Sequence, residues 1–440
     1  MAESSEIYKT IDFALRVGEM LLSNGAGAPD VSATMGSVVH HLGLRGAVVD
    51  VTFTSLSISY QTSIEEPTFL QTRHVRQRDI DYDDLTAVDH LVTSLLLNEV
   101  TRDKARTALA QIASSGHRTP RWAITVSWGF IGAGVGLLLG GDWIVVLIAS
   151  IAAMGIEVMQ RFMSRRRFPF FYQQVAGGLF ATLLAVSVAA IDVPVDPSLV
   201  ITSSIVMLLA GLGFIGAMQD ALSAYYITAG ARLLEVIIAT AGIIVGVSGG
   251  LSIGSALGVD IGLEPATTGL SHIPIMTFGA ALCASAFAFS AHAPRRVLIP
   301  IALVSGAATA LYFLMTKHGV GQAWASAVAA IAIGIVSYTV AGWVRVPPLV
   351  ILVSGIVPLL PGLSIYRALA LMADGDSSGI LALTTAAAIA ISLSSGVILG
   401  EYVAQPLKRE ARRLEQRLAG PRLVGPLRAR SVRKGSTGKK

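Results

Sequence analysis

Cysteine is almost missing from this chain, with Cys283 alone among 440 residues. A single thiol cannot close an intramolecular disulfide or assemble a thiolate cluster, so it reads as a small apolar packing residue. Charge is scarce too. Charged residues make up 14% against roughly a quarter in soluble proteins, while 53% are hydrophobic and mean hydropathy is +0.66. That balance excludes an ordinary soluble fold and points to a polytopic membrane protein. The opening MAESSEIYKTID lacks the basic and apolar regions of a secretory signal, so the N-terminus is expected to stay on the side where it is made. There is no HExxH pair, and adjacent His40 and His41 point about 100° apart on a helix, too far to chelate together. No GxxxxGK[ST] phosphate loop is present either, so no metal, cofactor or direct ATP drive is expected. The basic pI near 9.4 comes from clusters that flank apolar spans, which argues for insertion topology and against nucleic acid as a partner.

What is present falls into four parts. Residues 1–121 hold no apolar run of the roughly 20 residues needed to cross hydrocarbon and read as a small soluble α+β domain. Helices are expected at 7–22, from Asp30 or Ser32 through Leu42, from the Asp81–Asp84 cap to about Asn98, and at 102–114, with strands over 47–60 and 68–76. About ten spans follow between 123 and 402. They divide into five-helix repeats at 122–260 and 261–405, and a basic tail occupies 406–440. Arg118, Arg121, Arg165–Arg167, Arg295, Arg296, Arg345 and the tail fall on one side, and Asp142, Asp192, Asp196, Asp260, Glu264, Asp374 and Asp376 fall mostly on the other. By the charge rule both termini are cytoplasmic.

Two stretches echo each other. Ser203–Leu212 reads SSIVMLLAGL and Ser354–Leu363 reads SGIVPLLPGL, seven of ten positions identical at an offset of 151. Five spans per half make the second copy cross with opposite sense, an inverted repeat whose site is expected near the midplane between halves. Pro358, Pro361 and Gly362 lie within five residues of the second copy, and each Pro removes a donor and clashes with the preceding turn. A helix broken in hydrocarbon must satisfy its backbone with protein, water or ligand, so the break marks a candidate site.

Ionisable groups inside spans add candidates. Glu235, about 12 Å into the fifth span at 1.5 Å per residue, is expected near the midplane, with Arg232 one turn nearer the cytoplasm. Two readings stand: an Arg232–Glu235 ion pair at i,i+3 that only fixes packing, or a site carboxylate. Tyr366 and Arg367 after the break, Gln173 and Gln174, and Gln219 and Asp220 are polar candidates for a path or for interface anchors. Glu157, beside Arg161, and Glu401 read as boundary residues.

The segments LLSNGAGAPDV, VTFTSLSISY and TRHVRQRDI, followed by ten spans and a late IVPLLPGLSIYRAL, resemble the threonine/serine exporter family of bacterial amino-acid transporters over residues 7–405. The resemblance implies a secondary transporter of the cytoplasmic membrane that exports small neutral or hydroxy amino acids, with a coupling ion, taken as the proton, and the bilayer as partners; a homo-oligomer is compatible with it. Ala28-Pro29-Asp30 departs from the family pattern, in which an acidic residue follows the Gly-Ala pair sooner. For such a zwitterion, carbonyls freed around Pro358 and Pro361 together with Glu235 suit the ammonium, the helix start after Gly362 suits the carboxylate, and Ser364, Ser203 or Ser204 suits a hydroxyl. Gly211 is the counterpart of Gly362. The rival reading is a membrane-tethered enzyme with a hydrolase-like N-terminal domain using Ser55, Ser57, His74 and Asp79. In a third reading that domain regulates or docks.

Overall fold

The structure is a computed structural model that describes residues 2–75, 79–116, 119–191, 196–205, 208, 211–259, 272–361, 364–365, 368, 371 and 377–418. The N-terminal unit begins with α1 (Ala2–Ser23) and α2 (Ala28–His41), separated by the Asn24–Gly27 bend, where Gly25 takes a positive φ of 98°. Three antiparallel strands follow in the order β1 (Val48–Val51), β2 (Ser55–Tyr60) and β3 (Phe69–His74). The expected single strand over 47–60 is therefore a hairpin. Thr52 bonds Ser55 through its amide at 2.9 Å and through paired hydroxyls at 2.7 Å, which turns the chain without a Gly or Pro to announce it. Helix α3 (Tyr82–Leu96) starts on the Asp81 carboxylate, whose Oδ1 accepts from the Asp83 and Asp84 amides, and α4 (Arg102–Ser114) completes the unit.

The membrane part comprises α5 (Arg121–Leu138), α6 (Trp143–Arg165), α7 (Phe170–Ala189), α8 (Pro197–Ile205), α9 (Gly211–Leu222) and α10 (Tyr226–Ala256). It continues with α11 (Ile273–Ser290), α12 (Leu298–Lys317), α13 (Gln322–Val344), α14 (Pro348–Ile356) and α15 (Ser378–Leu418). Among the described residues eight helices are long and apolar enough to cross a bilayer. About ten spans are expected from the sequence; α8, α9 and α14, at 9, 12 and 9 residues, are each shorter than a crossing requires. The chain is a polytopic α-helical membrane protein with one small sheet. Trp122, Trp143, Trp324 and Trp343 stand exposed at helix ends, where indoles anchor spans at the headgroup level.

One packing pattern occurs twice. Helix α5 packs on α6 as α11 does on α12, α7 on α10 as α13 does on α15, and α7 on α8 as α13 does on α14. Helices α5 and α11 cross at Gly134 and Gly279: a Cβ on Gly134 would lie 2.7 Å from the Cys283 amide nitrogen, and one on Gly279 2.6 Å from the Gly134 carbonyl. Small residues permit such backbone approach in membranes, where lipid is as apolar as any side chain and close van der Waals packing must hold helices together. Near the basic end of α6, Glu157 accepts from Thr125 at 2.8 Å and pairs with Arg161 at 2.7 Å.

The N-terminal unit sits directly on these helices. The buried Tyr82 ring meets Phe287 edge to face at 6.5 Å, and the Tyr82 amide donates to the Ala291 carbonyl at 2.8 Å. Burial pushes the Tyr82 phenol well above its usual pKa, so it stays a neutral donor facing the Ser354 hydroxyl at the edge of hydrogen-bonding geometry. One hydrophobic core thus runs from α1–α4 into α11–α14.

Because rigid backbone opposes a side chain at Gly134, Gly134→Leu is expected to cost about 1–3 kcal/mol or more through overpacking and to lower the detergent melting temperature. Gly230→Ala is the control, since nothing lies within 4 Å of its Cβ position; it should be neutral or stabilising by up to about 1 kcal/mol.

Candidate functional site

The sequence of α9, GLGFIGAMQDAL, puts glycines at 211, 213 and 216 and a carboxylate at 220. The glycines let neighbours close in. Gly211 faces Leu360, whose Cβ lies 3.2 Å from the glycine's missing Cβ, so the first interruption packs on the second. Gly216 leaves room for Arg232, whose Nη1 lies 2.5 Å from where a Cβ would stand. Arg232 leans across to α9, and its Nε pairs with Asp220 Oδ2 at 3.2 Å, Asp220 being 1% exposed. The other carboxylate oxygen, Oδ1, accepts from the Ala28 amide at the start of α2 at 3.4 Å. A buried anion therefore meets a guanidinium and the positive end of a helix from the N-terminal unit together.

Beside this pair opens a cavity of about 280 Å³. Its polar lining is Gln219, Arg232, Glu235 and Ser394, with Ser23 and Gly27 closing it from the N-terminal unit and Ile356 from the end of α14. The size lies just below the ~300–1,000 Å³ range of small-molecule pockets. Paired opposite charges one helical turn apart, in a recess with apolar walls, are suited to a small zwitterion.

Several sequence candidates meet here. Glu235 and Arg232 line one cavity, but Arg232 pairs with Asp220, so the expected i,i+3 ion pair gives way to one between neighbouring helices. Glu235 lies about 4.5 Å along the helix past Arg232, and α10 at 31 residues is about 46 Å long, more than the roughly 30 Å core. Helix α14 stops at Ile356, a 3-10 turn over Val357–Leu359 carries Pro358, and Leu360 is extended at ψ 136°. The Pro361 carbonyl accepts from the Ile365 amide at 2.9 Å. Pro361 is buried, Ser364 partly buried, and neither lines the polar cavity. Ser203 donates to the Leu199 carbonyl at 2.6 Å within α8, and Ser204 to Val200. Gly362, Tyr366 and Arg367 lie outside the described residues.

Asp220 and the Ser23–Ala28 loop were not read from the sequence as partners. Asp220 showed only as a polar span end, and nothing in a chain marks contact across 192 residues. In the N-terminal unit Ser55 stands opposite His74 in the β2–β3 register, yet its hydroxyl engages Thr52, and among the described residues no hydrogen bond joins Ser55 or Ser57 to His74. The described residues hold no cluster of three His, Cys, Asp or Glu fit for a metal ion.

Residues 12–254 match the family described as "Putative threonine/serine exporter", and residues 276–403 match the one described as "Threonine/Serine exporter, ThrE". The chain belongs to the threonine/serine exporter family. A relative from Mycobacterium tuberculosis named "Probable threonine/serine exporter" is 35% identical over 424 residues, covering 94% of this chain and 80% of the relative. One from Corynebacterium glutamicum named "Threonine/serine exporter" is 32% identical over 420 residues, covering 94% and 86%. No solved structure matches. The family is one of membrane exporters for amino acids and not of enzymes.

Asp30, on the first turn of α2, keeps solvent contact on one side and is walled by protein on the other. Burial first, and then the Asp220 charge, hold its pKa above the usual carboxylate value. A carboxyl raised on folding contributes stability below its unfolded pKa and loses it as pH rises through its folded pKa. Asp30→Asn is therefore expected to melt higher than the parent at pH 7.5, with the gap closing toward pH 4. A gap that widens on acidification would show that Asp30 is held as a favourable anion.

Proposed function

We propose that this protein exports small neutral amino acids, threonine and serine foremost, across the cytoplasmic membrane against an inward flow of protons. The names of the relatives support the substrate class, and the observation that carries the reading is Arg232 and Glu235 facing one cavity between the interrupted helices. The substrate carboxylate takes the Arg232 guanidinium as a planar two-point partner, its ammonium takes Glu235, and Gln219 and Ser394 are in reach of a side-chain hydroxyl. Pro358, Pro361 and Gly211 serve by keeping both helices open and packed on each other, and Gly362 stays a binding candidate. Ser203, Ser364, Tyr366 and Arg367 remain secondary candidates along the path. Glu235 is the group we assign to carry the coupling proton.

The orientation we assign puts both termini and the N-terminal unit in the cytoplasm, with residues 122–260 and 261–405 as inverted halves and 406–440 as a basic cytoplasmic tail. Reporter fusions at residues 194 and 262 should read outside, and those at residue 167 and the C-terminus inside. A C-terminus found outside would reverse the direction of access to the cavity.

Counterflow of labelled threonine in proteoliposomes tests the chemistry. Losing a charged hydrogen bond is worth roughly 1.5–3 kcal/mol, so Arg232→Gln should raise the KM for threonine about tenfold or more, and Glu235→Gln should abolish acceleration by a pH gradient. If Arg232 only neutralises Asp220, the double variant Asp220→Asn with Arg232→Gln would recover parental counterflow; continued failure of that double is the result expected of a binding residue.

A further inference from the structure

The wall of the polar cavity is not made by membrane helices alone. Leu22, Ser23, Gly25, Gly27 and Ile80 of the N-terminal unit line it together with Gln219 of α9 and with Arg232 and Glu235 of α10. Between α1 and α2 the chain reads Ser-Asn-Gly-Ala-Gly-Ala over 23–28, and its residues alternate in what they face. Asn24, Ala26 and Ala28 are buried at 7%, 4% and 0% exposure, and the Asn24 and Ala26 amides close the end of α1 on the Met20 and Leu21 carbonyls. Ser23, Gly25 and Gly27 line the cavity. The even positions fasten the bend, and the odd ones face the space where a cargo would lie.

The two glycines are small for different reasons. Gly25 has a positive φ of 98° and backs onto Ile80, whose Cγ1 lies 3.3 Å from its Cβ position, so the fold requires a glycine there. Gly27 is under no such demand. Its φ of −70° and ψ of 155° suit any residue, and a Cβ there would meet Pro29 Cδ at 3.6 Å, Asp30 Oδ2 at 3.8 Å and Asp220 Oδ1 at 4.0 Å, all ordinary contact distances. It is also the N-cap of α2, where serine, aspartate and asparagine stabilise a helix more than glycine does. What a side chain at 27 would take up is room beside the Asp220 carboxylate, whose other oxygen holds Arg232. Ser23 contributes an acceptor, because its hydroxyl proton goes to the Met20 carbonyl at 3.1 Å and leaves lone pairs on Oγ for a donor.

We infer that the α1–α2 bend is part of the amino-acid site and sets which side chain it accepts: Gly27 keeps room for the side chain of the cargo, and Ser23 Oγ accepts from its hydroxyl. The inference rests on the polar cavity being that site, and it gives the N-terminal unit a share in recognition beyond regulating or docking. A side chain that carries a hydroxyl satisfies Ser23, whereas one without it strands the acceptor, which favours threonine over 2-aminobutyrate, the same molecule without its hydroxyl. The bend is held in this position because the Ala28 amide bonds Asp220 and the Tyr82 amide bonds Ala291.

The test uses the full-length protein in proteoliposomes, with Cys283→Ala as the background for labelling. Gly27→Cys should react with a small methanethiosulfonate reagent, and threonine should slow that reaction at least fivefold. Gly36→Cys is the control, on the same helix about 13.5 Å further on and with nothing within 4 Å of its Cβ position; threonine should leave its labelling rate unchanged. Gly27→Thr caps α2 about as well as glycine, so its melting temperature should hold while the KM for threonine rises at least fivefold more than that for serine. Ser23→Ala should cut the preference for threonine over 2-aminobutyrate about fivefold. In a protein that exchanges threonine, labelling at position 27 that ignores threonine, or both preferences unmoved, overturns this inference and leaves the polar site standing. A parent protein that exchanges no amino acid overturns both readings.

Discussion

A carboxylate buried to 1% exposure needs compensation, and much of this molecule is arranged around the compensation given to Asp220. Taking an anion out of water costs several kcal/mol unless it is paired and hydrogen-bonded. The anion stands on α9, α10 bends Arg232 onto it across Gly216, and the first turn of α2 supplies an amide and a helix dipole. Removing any one would leave charge or backbone unpaired. The N-terminal unit is thereby fixed at two points far apart in sequence, this one and the Tyr82 ring seated among α11 and α14. It forms one side of the polar cavity as well as standing beside it.

The eight long apolar helices were legible in the sequence because apolar length is a property of short windows. So was the interruption near Pro358, since proline's missing donor is a local fact, and the helix does stop at Ile356. The hairpin within 47–60 was not, because Thr52 and Ser55 turn the chain by hydroxyl and amide bonds that an alternating Val/Thr/Ser run does not distinguish from strand. Arg232's partner was hidden for a different reason. Helical spacing ranks neighbours at i±3 and i±4 on one helix, so it offered Glu235, while the partner on α9 becomes available only when three glycines bring that helix close. The same limit applied to Pro361: its ring predicted a break, but only the fold shows its carbonyl re-engaged by Ile365.

The two interruptions differ in what they do with their backbone, and that difference bears on where a substrate would bind. At the second, the turn over Val357–Leu359 and the Pro361–Ile365 bond leave less unsatisfied backbone than a proline-rich break suggests. At the first, Leu208 donates to Ile205 and Gly211 restarts the helix against Leu360. The two breaks also pack on each other, Leu360 against Gly211, and under the export reading the charged groups that face the cavity stand on the neighbouring helix α10.

Under the export reading, the Asp220–Arg232 pair also bears on the electrostatics of the cavity. An unpaired guanidinium held in a recess of low polarity would carry a large desolvation penalty, which Asp220 offsets. Because Asp220 holds Arg232 through Nε at 3.2 Å, a substrate carboxylate would have to share the guanidinium with it, since displacing Asp220 would leave a buried anion unpaired. The other oxygen of Asp220 meanwhile keeps the Ala28 amide, so the charge beside the cavity and the start of α2 are joined through the two oxygens of a single carboxylate.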